Sequence, residues 1–324
     1  MLRFAAKKFL VALSITLSLT SLGAKKLDHD HKTSYQVAIT QIVEHPSLDS
    51  IRQGILDELA SQGFTQNNNL TVTYDNAQGN IVIAAQIAQR FIALAPDVIV
   101  AIATPSAQTA VNAMKDANIP IVFGAVTDPL SAKITRSLER PDNNATGTID
   151  LPPAKDQLIF IKELFPKIKT LGILYNPGES NNIKQVARLK KAAGLLGFNI
   201  IEATATRTAD VALTAKYLTS KVEAILIPND NTIISALESV LKPALQNHIP
   251  VFTSDPDSVK KGALGAIAND QYDVGRMTGK IVAQILHGKP AEEIPIKAVQ
   301  IAKRYINQKM AGFFGLQTSA DILF

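Results

Sequence analysis

The sequence contains no cysteine and no tryptophan, and aromatic residues make up only 6% of its 324 positions. Lack of cysteine excludes disulfides, thiolate chemistry and a lipid-bearing cysteine behind an export signal. Lack of tryptophan, with few other rings, leaves little material for a sugar-stacking site. Catalytic signatures are missing too: there is no Gly-x-Ser-x-Gly elbow, no Walker loop, no Gly-x-Gly-x-x-Gly and no His-Glu-x-x-His. The five histidines are scattered from His29 to His287, so no enzyme activity, metal or cofactor is expected. Beyond the N-terminus no apolar run approaches the ~20 residues of a membrane span.

What is present is the composition of a folded α/β protein, 46% apolar and 19% charged. The length suits two domains of roughly 120 to 150 residues each. At the N-terminus, Arg3, Lys7 and Lys8 precede an apolar stretch from Phe9 to Leu22 and a small-residue exit, Leu22-Gly-Ala24. That order predicts an export signal over residues 1–24 and a soluble, periplasmic mature chain. Its removal takes away three cations and no acid, lowering the formal charge from +5 to +2. No Lys/Arg stripe then remains for nucleic acid. Residues 25–34 read as a flexible segment, and His29 and His31 within it are given no role.

From Tyr35 onward, strand-like and helix-like stretches alternate, which predicts parallel sheets with helices on both faces. The first series runs Tyr35–Ile42, Ser47–Gln62, Leu70–Tyr74, Ile81–Leu94, Asp97–Ala103, Pro105–Ala117, Pro120–Val126 and Ala145–Asp150. A second follows through Ala154–Leu164, Thr170–Tyr175, Asn181–Leu196, Asn199–Ala203, Ala209–Thr219, Ala224–Pro228, a single helix Thr232–Asn247, Val251–Ser254, Gly262–Ala268 and Tyr272–His287. Ile296–Ile301 reads as a strand, and Asn307–Phe324 as a tail. The expected organisation is lobe one over 35–150 with part of 270–300, and lobe two over 151–269 with part of 301–324. Crossings are expected near Asp150, at Asn269-Asp270 and after Pro290.

The two halves repeat one block. Asp97-Val-Ile-Val-Ala-Ile-Ala-Thr-Pro-Ser106 leads to Ile119-Pro-Ile-Val-Phe-Gly-Ala-Val-Thr-Asp-Pro129. Glu223-Ala-Ile-Leu-Ile-Pro-Asn-Asp-Asn-Thr232 leads to Ile249-Pro-Val-Phe-Thr-Ser-Asp-Pro256. Ligands of open α/β sheets settle beyond the carboxyl ends of the strands, so two such halves would enclose a cleft. Its candidate residues are those where strands run into helices: Thr104 as a helix cap with Ser106 behind it, Thr127 with Asp128, Asp150, Tyr175 to Ser180, Asn229 with Asn231, and Asp255. Free N–H groups at helix starts attract a carboxylate, and an Asp among them can receive an ammonium. Glu44, His45, Asn76 and Ala77 occupy matching turns in the first half. Each of these residues is equally at home in ordinary capping or turn chemistry.

Six segments together resemble the periplasmic substrate-binding proteins of ABC importers, type I fold, in the subgroup associated with tryptophan, phenylalanine and tyrosine. They are Gln41-Ile-Val-Glu-His-Pro46 with Leu48-Asp49, Asn76-Ala77-Gln78, Ala101-Ile-Ala-Thr-Pro-Ser-Ala-Gln108, Gly124-Ala-Val-Thr-Asp-Pro129, Ile227-Pro-Asn-Asp-Asn-Thr-Ile233 and Asn269-Asp-Gln-Tyr-Asp-Val-Gly275. The resemblance implies two doubly wound lobes, an amino acid held between them, delivery to an ABC permease in the inner membrane, and a monomer. It implies that Thr104, Ser106 and Ala107 hold the ligand carboxylate with Thr127 and Asp128 beside them. Asn231 and Asp255 close from lobe two, and Glu44 and His45 line a side-chain pocket. Where family members often carry Gly-Val-Ser-Asp, this chain has Gly147-Thr-Ile-Asp150, so Ile149 removes a hydroxyl.

Three other functions fit a two-lobed binder. A sensor that hands its liganded form to a membrane receptor has the same sequence features. A transcriptional regulator would need an N-terminal helix-turn-helix where this chain carries an export signal. A hydrolase or isomerase would need the catalytic motifs that are missing.

Overall fold

Alternation of buried strands with amphipathic helices builds two sheets. The computed structural model describes residues 33–300, 302–317 and 322–324; the export segment and the pair His29 and His31 lie outside the described residues. The first series is β1 (Tyr35–Gln41), α1 (Pro46–Ser61), β2 (Leu70–Asn76), α2 (Ile81–Leu94), β3 (Val98–Ile102), α3 (Thr104–Ala113), β4 (Ile121–Val126) and β5 (Ala145–Ile149). The second comprises α4 (Ala154–Leu164), β6 (Thr170–Tyr175), α5 (Ser180–Leu196), β7 (Asn199–Thr204), α6 (Thr208–Thr219), β8 (Ala224–Ile227), α7 (Asn231–Ser235), α8 (Glu238–Gln246), β9 (Val251–Thr253), α9 (Pro256–Lys260) and β10 (Gly265–Ala268). The chain ends with α10 (Gln271–Leu286), β11 (Lys297–Ala298), β12 (Lys303–Ile306), α11 (Gln308–Phe313) and β13 (Ile322–Leu323).

Sheet one is ordered β11-β5-β4-β3-β1-β2, sheet two β13-β12-β10-β9-β8-β6-β7. The runs β5-β4-β3-β1-β2 and β10-β9-β8-β6-β7 follow the same winding, and all pairs are parallel except β10 with β12. Strands covered on both faces need apolar side chains throughout, and β3 and β8 are buried at every position. Their order reverses between β1 and β3 in one sheet and between β6 and β8 in the other, the positions where such sheets open a crevice.

Several elements differ from the expected ones. The helix expected over Thr232–Asn247 is two helices. The first turn of α7 is pinned by Glu179 and Asp230, whose carboxylates accept from the backbone of Asn231, Thr232 and Ile233. A short helix, α9, follows β9; Asp255 caps it by accepting from Ser258 N at 2.8 Å, and Pro256 fills its first turn. The strand expected over Ile296–Ile301 shrinks to β11, the residues before the expected tail form a further strand, β12, and the tail supplies α11 and the edge strand β13 of sheet two.

Three segments pass between the sheets: after β5, after β10, and after β11. Helix α10 follows a strand of sheet two yet packs on α1, and Val274, Ile281, Val282, Ile285 and Leu286 join the core of sheet one. The approach is close because the contact is built on glycine. A Cβ on Gly275 would lie 2.2 Å from the Ile51 carbonyl oxygen, one on Gly54 2.3 Å from that of Tyr272, and one on Gly279 2.6 Å from Glu58 Cβ. The Arg276 guanidinium then donates to the buried Glu58 carboxylate at 2.6 Å along the same seam.

Overfilling such a contact costs about 1–3 kcal/mol, so Gly275→Ala and Gly279→Ala should each lower the midpoint of thermal unfolding clearly. Gly194→Ala, on α5 where a Cβ would meet open space, should leave it unchanged or raise it; equal midpoints for all three variants would refute the close packing.

Candidate functional site

The carboxyl ends of the inner strands from both sheets converge on one small cavity of about 40 Å³. Lobe one contributes His45 and Ser47 after β1, Ala103 and Thr104 after β3, Thr127 after β4 and Asp150 after β5; lobe two contributes Asn181, Asn229 to Asn231 and Asp255, and Gln271 enters from the start of α10, on the second crossing. Beside it, sharing Asn231, a groove of about 500 Å³ lies between Ile42, Val43, Ile81 and Pro105 on one side and Gly178, Ser180 and Arg207 on the other. A larger groove of about 1100 Å³ runs along Val111, Met114 and Ile119 to Asn144. It sits at the opposite end of the strands from the switch points and is not the candidate site.

The lobes touch across the cleft. Ser47 Oγ donates to Asp255 Oδ1 at 2.7 Å, Ser180 Oγ donates to Gln108 Oε1 at 3.0 Å, and Lys184 pairs with Asp128.

Asp150 is the central charged group. It ends β5 at the first crossing and is 2% exposed. Its Oδ1 accepts from Asn269 Nδ2 at 2.8 Å, and its Oδ2 from Gln271 Nε2 at 3.1 Å and Asn229 Nδ2 at 3.4 Å. No cation reaches it among the described residues. Burial therefore pushes its pKa up, the amide hydrogen bonds oppose this, and Asp255 adds to the rise.

The lobe-two acids are differently placed. Asp230 is held by Asn182 and by the backbone of Asn176 and Ile233; burial, reinforced by Glu179, raises its pKa well above the usual range. Glu179 accepts from the backbone and side chains of Asn231 and Thr232. Asp255 is occupied by its own helix cap and by Ser47. These acids anchor lobe two.

Two cavity-lining atoms, His45 Nδ1 and Asn181 Oδ1, are buried without a hydrogen-bond partner. Burial lowers the pKa of His45, against the pull of Asp255 and Asp49, so the imidazole is neutral at pH 7. Backbone strain also gathers here: Ala103 and Ala125, both on the cavity wall, have φ of 73° and 57°, the left-handed region that alanine rarely visits.

Of the residues singled out from sequence, His45, Thr104, Thr127, Asp150, Asn229, Asn231 and Asp255 line the cavity. The others do not. Thr104 is not a helix cap: α3 begins at Thr104 itself, after Ala103, and Thr104 Oγ1 accepts from Thr127 N at 3.4 Å. Ala107 spends its N–H on the Ala103 carbonyl, so it has no donor for a carboxylate. Ser106 lies behind Thr104, fully buried, with an unpartnered Oγ. Asn76 ends the edge strand β2 and Ala77 follows it, beyond the switch point, and Asn76 closes its own turn by accepting from Gln78 N. Glu44 is exposed and accepts from Tyr74, while Tyr175 turns to Glu202 on the other edge strand, β7. Asp128 is taken by Lys184 and Ser131; burial pushes its carboxyl up, but these hydrogen bonds outweigh it and leave the pKa below the usual range. Ser180 lines the neighbouring groove.

Ser47, Asn181 and Gln271 are cavity residues that sequence reading missed, while Asp230 lies within the corner Asn229 to Thr232 that it marked. Gln271 had a signal, since Asn269-Asp270 opens a helix after the strand equivalent to β5. Among the described residues no group of His, Asp and Glu is arranged to hold a metal, and no helix is long and apolar enough to cross a membrane.

This geometry has close counterparts. The "Tyrosine-binding protein" of Clostridioides difficile (strain R20291) is 35% identical over 293 residues, spanning 90% of this chain and 84% of that protein. The crystal structure of an ABC domain from Streptococcus pneumoniae in complex with L-Trp is 33% identical, covers 90% of this chain and all of that one, and superposes with a TM-score of 0.86. The ligand-free, open structure of a substrate-binding protein with adhesive properties from Clostridium difficile is also 33% identical, covering 90% of this chain and 99% of that one, but its TM-score is 0.68. The relatives are solute-binding proteins, not enzymes, and the two doubly wound lobes are those of the type I periplasmic binding proteins. The model of the family described as "ABC transporter substrate binding protein" matches residues 36–324, and the chain belongs to that family.

Proposed function

We propose that this protein is the extracytoplasmic solute-binding component of an ABC importer and captures an aromatic amino acid by closing two lobes around it. The observation that carries this reading is Asp150, a buried carboxylate on the cavity wall with amide donors but no cation. Stabilising a buried anion takes an opposite charge, and the α-ammonium of an amino acid supplies one. The ligand carboxylate is drawn to the start of α3, where Thr104 lines the cavity at the positive end of the helix. His45 Nδ1 and Asn181 Oδ1 offer an acceptor on each side of the polar head.

An aromatic amino acid outsizes the 40 Å³ cavity. Its polar head fits there when the lobes part and reclose, and the adjoining groove, walled by Ile42, Val43, Ile81 and Pro105, gives its ring an apolar side. The likeness to the L-Trp complex, greater than to the open ligand-free structure at equal identity, supports a closed arrangement. Contacts of bound ligand with both lobes would favour that state, which a permease in the membrane then reads.

Isothermal titration with L-tryptophan, L-tyrosine and L-phenylalanine should give heat, and Asp150→Asn should weaken binding by about 2–5 kcal/mol, the cost of removing one partner of a buried charged contact. Asp128→Ala should have a much smaller effect. No binding of any amino acid would sink the reading.

The dependence on pH follows from the raised Asp150 pKa. The bound ammonium favours the ionised carboxylate, so binding drives off any proton held by free Asp150. Affinity should therefore decline as pH falls, starting above the 3.8 of an ordinary aspartate, and the decline should vanish in Asp150→Asn.

A further inference from the structure

Asn269 stands behind Asp150, outside the cavity lining, at the end of β10 and the start of the second crossing. It is 2% exposed. Its Nδ2 carries two hydrogens and finds two acceptors, Asp150 Oδ1 at 2.8 Å and the Val299 carbonyl at 3.2 Å. Asp150 opens the first crossing, and Val299, whose N–H donates to the Ile149 carbonyl at 2.9 Å, opens the third. One amide thus joins all three segments on which the lobes pivot. The flipped amide would set its oxygen against a carboxylate and a carbonyl, so the orientation is fixed by repulsion as well as by attraction. The Asn269 carbonyl in turn accepts from Gln271 Nε2 at 3.1 Å, the same atom that donates to Asp150 Oδ2.

Groups near a rotation axis move least during hinge closure. Asn269 and Val299 lie on the crossings with Asp150, so their bonds survive the motion. Asn229, reaching Asp150 from the end of β8 at 3.4 Å, belongs to the part of lobe two that swings away.

We propose that Asn269 is a positioning residue: it holds the Asp150 carboxylate in the orientation that receives the ligand ammonium and ties that orientation to the alignment of the three crossings. Asn269 touches no ligand itself. The inference rests on the ammonium reading of Asp150 given above, and the test separates the two.

The affinities of L-tyrosine and of 3-(4-hydroxyphenyl)propionate, which lacks the amine, are measured by calorimetry for the unaltered chain, Asp150→Asn and Asn269→Ala. Asp150→Asn should abolish the preference for the amine. Asn269→Ala should cut that preference by about tenfold or more, with less than threefold change for the des-amino acid, one such factor being about 1.4 kcal/mol. It should also move the low-pH loss of L-tyrosine binding to higher pH, because a donor to the carboxylate is gone. Circular dichroism establishes that each variant is folded, and Asn269→Ser, also unable to span both acceptors, replaces the alanine variant if that one is not. A lost preference in Asp150→Asn with an unchanged one in the Asn269 variant overturns the proposal alone. An unchanged preference in Asp150→Asn overturns the ammonium reading and the proposal with it.

Discussion

An uncompensated carboxylate buried where the chain first crosses between the lobes is the constraint around which the rest is organised. Removing a charge from water is costly, and Asp150 offsets that cost only with neutral amides from Asn229, Asn269 and Gln271. Those donors come from the end of β8 in lobe two and from the second crossing, so satisfying one side chain fixes where the second crossing lies against the first. It also leaves the cavity with a negative pole.

The same residue type does a different job on the facing wall. Glu179 and Asp230 are spent on the backbone and side chains around α7, and Asp255 on α9. Lobe two thus keeps its strand-end corners rigid with acids, one of which, Asp255, also receives the Ser47 hydroxyl of lobe one. Asp230 and Asp150 both rest on amide donors alone, but those of Asp230 include the backbone of its own corner, whereas every donor to Asp150 is a side chain from another segment.

The sequence carried the winding of both lobes plainly, because fully apolar strands such as β3 and β8 alternate with capped helices. Ile81–Leu94, Ala154–Leu164 and Thr170–Tyr175 have the same limits in the sequence and in the structure. The site was legible by position and not by role. A strand end shows which residues can face the cleft, so His45, Asp150 and Asn229 were found. It does not show that an edge strand carries Asn76 away, that a lysine 56 residues later in the chain takes Asp128, or that positive φ at Ala103 shifts the start of α3 by one residue. Those outcomes depend on side-chain partners distant in sequence, which local pattern does not encode. The split of α7 from α8 is of this kind, since Glu179 pins α7 from fifty residues away.

The seam between α1 and α10 bears on the order in which the chain acquires structure during synthesis. Strands of sheet one are complete by Ile149 except for β11, yet the face of α1 that meets Gly275 and Gly279 stays uncovered until the ribosome has delivered residues of α10. The first lobe to be made is therefore not finished until the chain has passed through the second. A nascent chain ending near Asp150 leaves the backbone of Ile51 and Ile55 without the glycines that pack against it, so lobe one is unable to complete its fold by itself.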